Sequence, residues 1–447
     1  MLDLNAKINK SLSSILVQNI SSSESAYLAK LLKIFKKVFL PCFITQYYSQ
    51  SKSKNFFVFL KNFKYSDVIR IFPANLSQIF LKARENIKID LQALQGSTIK
   101  VLGDLHNAGA TKYLIGGQVR HKSRFGNYKF LQILCTEVLP EYQKFFALPN
   151  KISKDHYIYR DYITPQLQAQ QKQVVAEYYF NLGQLMPLLL FLRTVDIYAA
   201  NAICRLPYLV VIDYDCMLSP QTKTAYSILR SGMIKADPER DKSLLTGGLA
   251  KSNNFLTPTL QGSAAKPKLK WGTITYKKFV NIPELNHVKV NPMTYWSYLE
   301  AGYQTASAKL IKKKSQISEL LKVVNCGNRI NLRLTAIYNM IQQFYCFPEN
   351  YQKNPNVEEF FYTQLRSKYI EYKVLQAEWL FRYEAKILAN GLIPIFYMKA
   401  YSDEIYTPEG KVIARLEQSP LETFQKFLPG MEGFLKKQLE IMRKTYF

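Results

Sequence analysis

The stretch RTVDIYAANAICRLPYLVVIDYDCM, from Arg193 to Met217, sets three carboxylates, Asp196, Asp213 and Asp215, on a background apolar enough to be core. An unpaired buried charge is costly, so an acid in such a setting is either capped or functional. Single Asp residues at strand ends are common, and no one of the three decides the matter. Their joint occurrence does more. YLVVIDYD reads as a strand, and side chains two residues apart on a strand share a face. Asp213 and Asp215 therefore point the same way and can meet one metal ion.

With 447 residues, 48% hydrophobic and 21% charged, the chain can bury a sizeable core as one large domain or a few smaller ones, and no segment is polar enough to be disordered. The 60 Lys and Arg against 33 Asp and Glu leave a net charge of +27, which suits an anionic partner such as a nucleotide, an acidic peptide, a nucleic acid or a membrane surface. The lysines are dispersed (KIFKK, KPKLK, KLIKKK), and neither an aromatic RNP motif nor a GXXG loop is evident, so no nucleic-acid partner is expected beyond a nucleotide. Six cysteines, at 42, 135, 204, 216, 326 and 346, form no CxxC pair, which supports neither a zinc site nor a disulfide scaffold. The N-terminus lacks a basic segment followed by an apolar one, and the longest apolar run, LMPLLLFL, is too short to span a bilayer. A cytoplasmic protein without membrane association is the expectation.

Residues 1–95 read as mostly helical. SSSESAYLAKLLKIFKKVFL offers Ser N-caps and then apolar residues at helical spacing with lysines between them, a stripe better read as core-facing than as a membrane face. From residue 96, TIKVLGDL, TKYLIGG and QVRHKSR, separated by Gly-rich turns, predict a small antiparallel sheet. KISKDHYIYRDYITP reads as a polar connector to a long helix from about Pro165 through Leu192, kinked or broken at Pro187. Residues 218–275 read as long surface loops, and helical patterns resume after about 293, with an Asn-Gly C-cap closing ILANG. The class is α+β, mostly α. It divides into a helical region 1–95, a core 96–220 carrying the site, a loop-rich region 221–292 and a helical C-terminal part 293–447.

Three elements carry polar groups suited to chemistry. GDLHNAGA presents Asp104, His106 and Asn107 just after a strand; VRHKSR offers Lys122 on a second strand, suited to a phosphate; DIYAAN and IDYD supply Asp196, Asn201, Asp213 and Asp215. A sheet lysine followed by Asp, Asn and a later Asp is the parts set of a kinase-like phosphotransferase. Lysine pins nucleotide phosphates, one Asp orients the acceptor hydroxyl, and Asn with the later acids holds Mg²⁺ through hard oxygen ligands.

The ordered set resembles the dehydratase domain of class II lanthipeptide synthetases, the LanM type. The matching segments are Gly103-Asp104-Leu105-His106-Asn107, His121-Lys122-Ser123-Arg124, Tyr159-Arg160-Asp161-Tyr162, Asp196 through Asn201, and Ile212-Asp213-Tyr214-Asp215. NRINLRLTAIY, with Arg329, Arg333, Thr335 and Tyr338 in phase, resembles the family's Arg-rich segment, and ILANGLIPIFYMKAYSDEIY a further one. The sequence departs from the pattern at Tyr198 (His in the family), Ser123 (Pro), Asp215 (Glu) and Leu392 (Asp).

The resemblance implies a lipid-kinase-like bilobal core with helical extensions at both ends. It implies phosphorylation of Ser or Thr in a precursor peptide by ATP with Mg²⁺, followed by elimination of phosphate to dehydroalanine or dehydrobutyrine. Carried over, the catalytic residues are Asp104, His106, Asp196, Arg329 and Thr335, and the nucleotide-binding residues Lys122, Asn201, Asp213 and Asp215. Asn201, Asp213 and Asp215 are also the metal ligands. The partner is a precursor peptide with a leader segment. Ring closure is expected to fall to a separate cyclase. The alternatives are a kinase-like phosphotransferase acting on a protein target without elimination, and a non-catalytic basic scaffold on the same fold.

Overall fold

The helical spacing of the N-terminal apolar residues is realised as Leu2–Val17, Leu28–Gln50, Tyr65–Ile71 and Ala74–Gln92. The computed structural model describes residues 2–17, 28–50, 56, 60, 63–71, 74–92, 99–102, 106, 112–122, 127–152, 157–235, 241–249, 254–263, 266–275, 279–324 and 326–447. The Ser N-caps expected ahead of the second helix lie outside them. Leu31, Phe35, Val38, Phe39 and Phe43 are buried, and the Phe35 ring lies 4.8 Å from Phe39 and 5.3 Å from Phe80. The stripe is core-facing. Its core also takes Tyr338, Tyr345, Phe361 and Leu388, so the N-terminal helices share a hydrophobic interior with C-terminal ones.

Ile99–Val101, Tyr113–Ile115, Gln118–Lys122, Tyr157–Asp161 and Lys151–Ile152 form, in that spatial order, an antiparallel five-stranded sheet. Gly116 and Gly117 turn between the second and third strands with φ of 54° and 81°, and a two-residue hairpin with both angles positive follows the strand twist. The last two strands correct the expectation of a connector. Tyr157, Ile158, Tyr159 and Arg160 alternate, and Ile158 and Arg160 share the buried face.

The long helix begins at Lys172, because Gln168–Ala169 is taken up as a short parallel partner of Glu284–Leu285. It runs through Pro187 to Phe191 without a break. Among the described residues it is the one helix apolar and long enough to cross a membrane, yet most of it is buried in the main core, packed along Trp296–Val323. The two helices meet backbone to backbone at Gly183 and Gly302. A Cβ on Gly183 would collide with the Leu299 carbonyl, and one on Gly302 with the Phe180 carbonyl. Gly302→Ala must therefore push the helices apart, with a loss of about 3 kcal/mol or more expected in urea unfolding. A variant as stable as the parent would show that the crossing is loose.

Residues 218–275, expected as surface loops, contain an antiparallel hairpin of Asn254–Gly262 and Pro267–Thr275, and Leu218, Met233, Ile234, Leu244 and Leu245 ahead of it are buried. Short apolar pairs among Ser, Gly and Lys carry too little periodicity to reveal this. The C-terminal part is also less helical than its pattern. Gly327–Ile330, Phe396–Lys399, Glu404–Tyr406, Val412–Leu416 and Val374–Leu375 form a second antiparallel five-stranded sheet, in that order. The expected long helix divides into Val357–Arg366 and Ala377–Ala389 around one of its strands. Gly391, with φ of 73°, closes the second helix as the Asn-Gly signal predicts. The whole is mixed α+β and mostly helical.

Candidate active site

Three segments distant in sequence are laced together by backbone hydrogen bonds. Val195 N donates to Cys216 O at 3.0 Å, Ile212 N to Asn201 O at 2.9 Å, and Arg329 N to Asp215 O at 2.9 Å. The strand expected over YLVVIDYD stops at Val211, so Asp213 and Asp215 lie on the irregular exit from it and not on the strand itself. The loop holding Asp196, with φ of 66°, closes on itself where Asn201 Nδ2 donates to the Asp196 carbonyl at 2.7 Å.

Lys112 Nζ stands 2.5 Å from Asp213 Oδ2 and 3.9 Å from Asp215 Oδ2. One ammonium thus lies between both acids, although neither stands on the strand from which their common facing was expected. Tyr128 donates its hydroxyl to Asp215 Oδ1 at 2.7 Å, and Asn331 Nδ2 donates to Asp196 Oδ2 at 3.0 Å. The electrostatics separate the acids. Burial opposes ionisation of Asp213, but Lys112, Arg329 and Arg160 outweigh it and hold its carboxyl well below the usual range. Burial dominates at Asp196 and, although Arg329 opposes it, pushes that carboxyl up to about 6.

Arg329 loses hydration through burial, yet Cys216, Asp213, Asp196 and Asp215 around it favour its charged form and raise its pKa. Arg160 is buried as well, and Tyr214, Tyr128, Asp213 and Asp215 favour its charge. Among the described residues, Arg329 Nε and Arg160 Nη1 are both buried without a hydrogen-bond partner. Donors of this kind, facing a group of acids, suit oxyanions brought in with a metal.

The site residues expected from sequence fall into three groups. Asp196, Asn201, Asp213, Asp215 and Arg329 are brought together. His106 bridges instead to the backbone of Ile393, its Nδ1 lying 3.3 Å from the Ile393 carbonyl, so the GDLHN and ILANGLIPIF segments meet. Thr335 is the first residue of the helix Thr335–Tyr345, half-buried, with no hydrogen bond to the acids among the described residues. Asp104 and Asn107 lie outside the described residues. Lys122 ends its strand opposite Tyr157, and its side chain lies outside them too.

Sequence reading missed Lys112, Tyr128 and Asn331, and gave Arg160 no role; of these only Arg160 carried a local signal, its place in the alternation of its strand. The Arg-rich segment also divides. Arg333 Nε donates to both oxygens of Glu384, at 3.1 and 3.3 Å, its Nη1 donates to the Lys368 carbonyl at 2.6 Å, and Tyr338 donates to the same carboxylate. Arg333 and Glu384 are both buried, and their pair fastens the start of one helix to the middle of another. Arg333→Met, which strands Glu384 as a buried charge, should cost about 3–5 kcal/mol in chemical unfolding. Arg333→Met with Glu384→Gln should recover part of that loss; if the double variant is no more stable than the single one, charge is not what holds the clasp.

The donor set fits Mg²⁺. Asp213 and Asp215 already converge on one cation, and Asn201, its amide nitrogen engaged by Asp196, has Oδ1 left as a further hard oxygen. Among the described residues no three His, Cys, Asp or Glu side chains form a cage, as suits an ion that takes one or two carboxylates and completes its shell with phosphate and water.

Residues 81–399 match a family model described as a domain of unknown function, DUF4135, and the chain belongs to that family. It is the domain found in lanthionine synthetases of the LanM type, which places the chain in their class. A search of curated proteins found no match.

Proposed function

We propose that this chain is a LanM-like dehydratase that phosphorylates Ser or Thr of a precursor peptide with ATP and then eliminates phosphate to leave dehydroalanine or dehydrobutyrine. In this reading residues 96–220 are the nucleotide-binding part of a lipid-kinase-like bilobal core. Residues 221–292 are the activation-loop region, and 293–447 bring the elimination residues. The observation that supports it most is the meeting of Asp196, Asp213, Asp215 and Arg329 in one half-buried cluster within the family domain.

Each residue then has a task. Asp213, Asp215 and Asn201 are the residues to hold Mg²⁺, which when bound neutralises phosphate charge and aligns the transferred group. Asp196, held by Asn331 and by its own loop, orients the acceptor hydroxyl. Arg160, with Lys112 and Arg329, keeps Asp213 ionised. Elimination requires a base for the Cα proton and a cation on the departing phosphate, and the unpartnered Nε of Arg329 suits it to the second task.

Co-expression with a Ser/Thr-rich precursor peptide, followed by mass measurement, tests the reading. Loss of one water per modified residue is expected, and an unaltered peptide in the presence of ATP and Mg²⁺ would refute it. A phosphotransferase without elimination is the second reading, favoured by Thr335 standing outside the hydrogen-bonded set. Peptide that gains phosphate and keeps it would decide for that reading.

A further inference from the structure

A cavity of about 370 Å³, apart from the acid cluster, is lined by Arg193, Thr222, Thr224, Tyr226, Thr423 and Lys426 among others. Arg193 is its unusual feature. The residue is only 7% exposed, and its guanidinium lies 4.8 Å from the centre of the Tyr226 ring and 5.1 Å from that of Phe427. Its Nε donates to the Ser219 carbonyl at 2.9 Å and its Nη2 reaches the Pro220 carbonyl at 3.5 Å. No carboxylate pairs with it among the described residues, whereas buried charges are ordinarily paired. The neighbouring Arg230 differs, since Glu371 takes up its charge.

The hydroxyls lining the cavity are committed within the protein. Thr222 donates to the Thr224 carbonyl, Thr224 to Glu371 and Thr423 to the Ser419 carbonyl. Arg193 meets only carbonyls and ring faces, and neither it nor the exposed Lys426 has a carboxylate partner among the described residues. Two cations on the wall of one cavity that opens to solvent call for an anion, and a dianion matches the pair better than a single carboxylate does. The volume, within the range of small-molecule sites, exceeds what an ion alone needs.

We infer that this cavity is a binding site for a phosphate monoester, such as a phosphorylated Ser or Thr side chain, with Arg193 and Lys426 as its recognition groups. Free phosphate shares the chemistry and fills only part of the space. The inference does not depend on the dehydratase reading.

Calorimetric titration of the full chain with O-phosphoserine, with inorganic phosphate and with serine tests it, the Lys426→Ala variant separating this cavity from the acid cluster. Saturable phosphoserine binding is expected, weakened about tenfold or more in Lys426→Ala and in Arg193→Met, with serine not binding. Lys426 is exposed, so its replacement keeps the test valid if Arg193→Met fails to fold. Phosphate binding as tightly as phosphoserine would assign the site to the free ion, still through the same two cations. Absence of saturable binding by either compound, or binding unchanged in Lys426→Ala, would overturn the inference.

Discussion

Asp213→Asn should leave a folded chain that transfers no phosphate, with peptide phosphorylation falling by about a thousandfold or more. Asp213 is held ionised by Lys112, at 2.5 Å, and by Arg329 and Arg160, so in the proposed metal site its charge is the one to remove. The amide keeps the shape of the side chain, and Lys112 keeps Asp215 as a partner at 3.9 Å, which limits the damage to the fold. Phosphopeptide mass measures the activity, and thermal unfolding by circular dichroism checks that the chain is intact. Undiminished phosphorylation in a folded variant would remove Asp213 from the site and with it the assignment of the metal.

Arg329→Ala should separate the two half-reactions. In the proposed dehydratase, phosphoryl transfer would rest on the acids and a metal held by them, whereas elimination would need a cation on a phosphate already attached to the peptide. The variant should therefore accumulate phosphopeptide, with the second step slowed about 100-fold or more, the size expected for loss of one preorganised donor. The same guanidinium offsets the burial of Asp196 and Asp213, so some loss of stability is also expected, and Arg329→Lys serves as the variant that keeps the charge. A time course of phosphorylated against dehydrated peptide decides. Dehydration at the parent rate in Arg329→Ala would take elimination away from this residue.

Much of this site was legible in one dimension. The apolar setting of Asp196, Asp213 and Asp215 announces that they stand there for a reason, and one ammonium does lie 2.5 and 3.9 Å from the latter two, although the strand expected to align them ends at Val211. Glycine signals at 116–117 and 391 mark a hairpin and a helix end because positive φ is a local demand. Tyr157 to Arg160 alternates visibly too, and was read as connector because its flanks are polar.

Other features had no local signature. The C-terminal sheet is built from strands of two to five residues, too short to show a period among helices. Arg329 and Arg333 look alike in the sequence, four residues apart. Only packing sends the first to three acids and the second to Glu384.

By itself, then, the sequence determined which acids would be drawn into an apolar setting, since that follows from hydropathy; the strand ends at Val211, so the fold and not the strand pleat turns Asp213 and Asp215 toward one cation. Tertiary structure alone decided that Lys112, Arg160 and Arg329 would neutralise them. A charge buried in one segment is satisfied by whatever the fold brings against it, and that partner is chosen by the packing of strands distant along the chain.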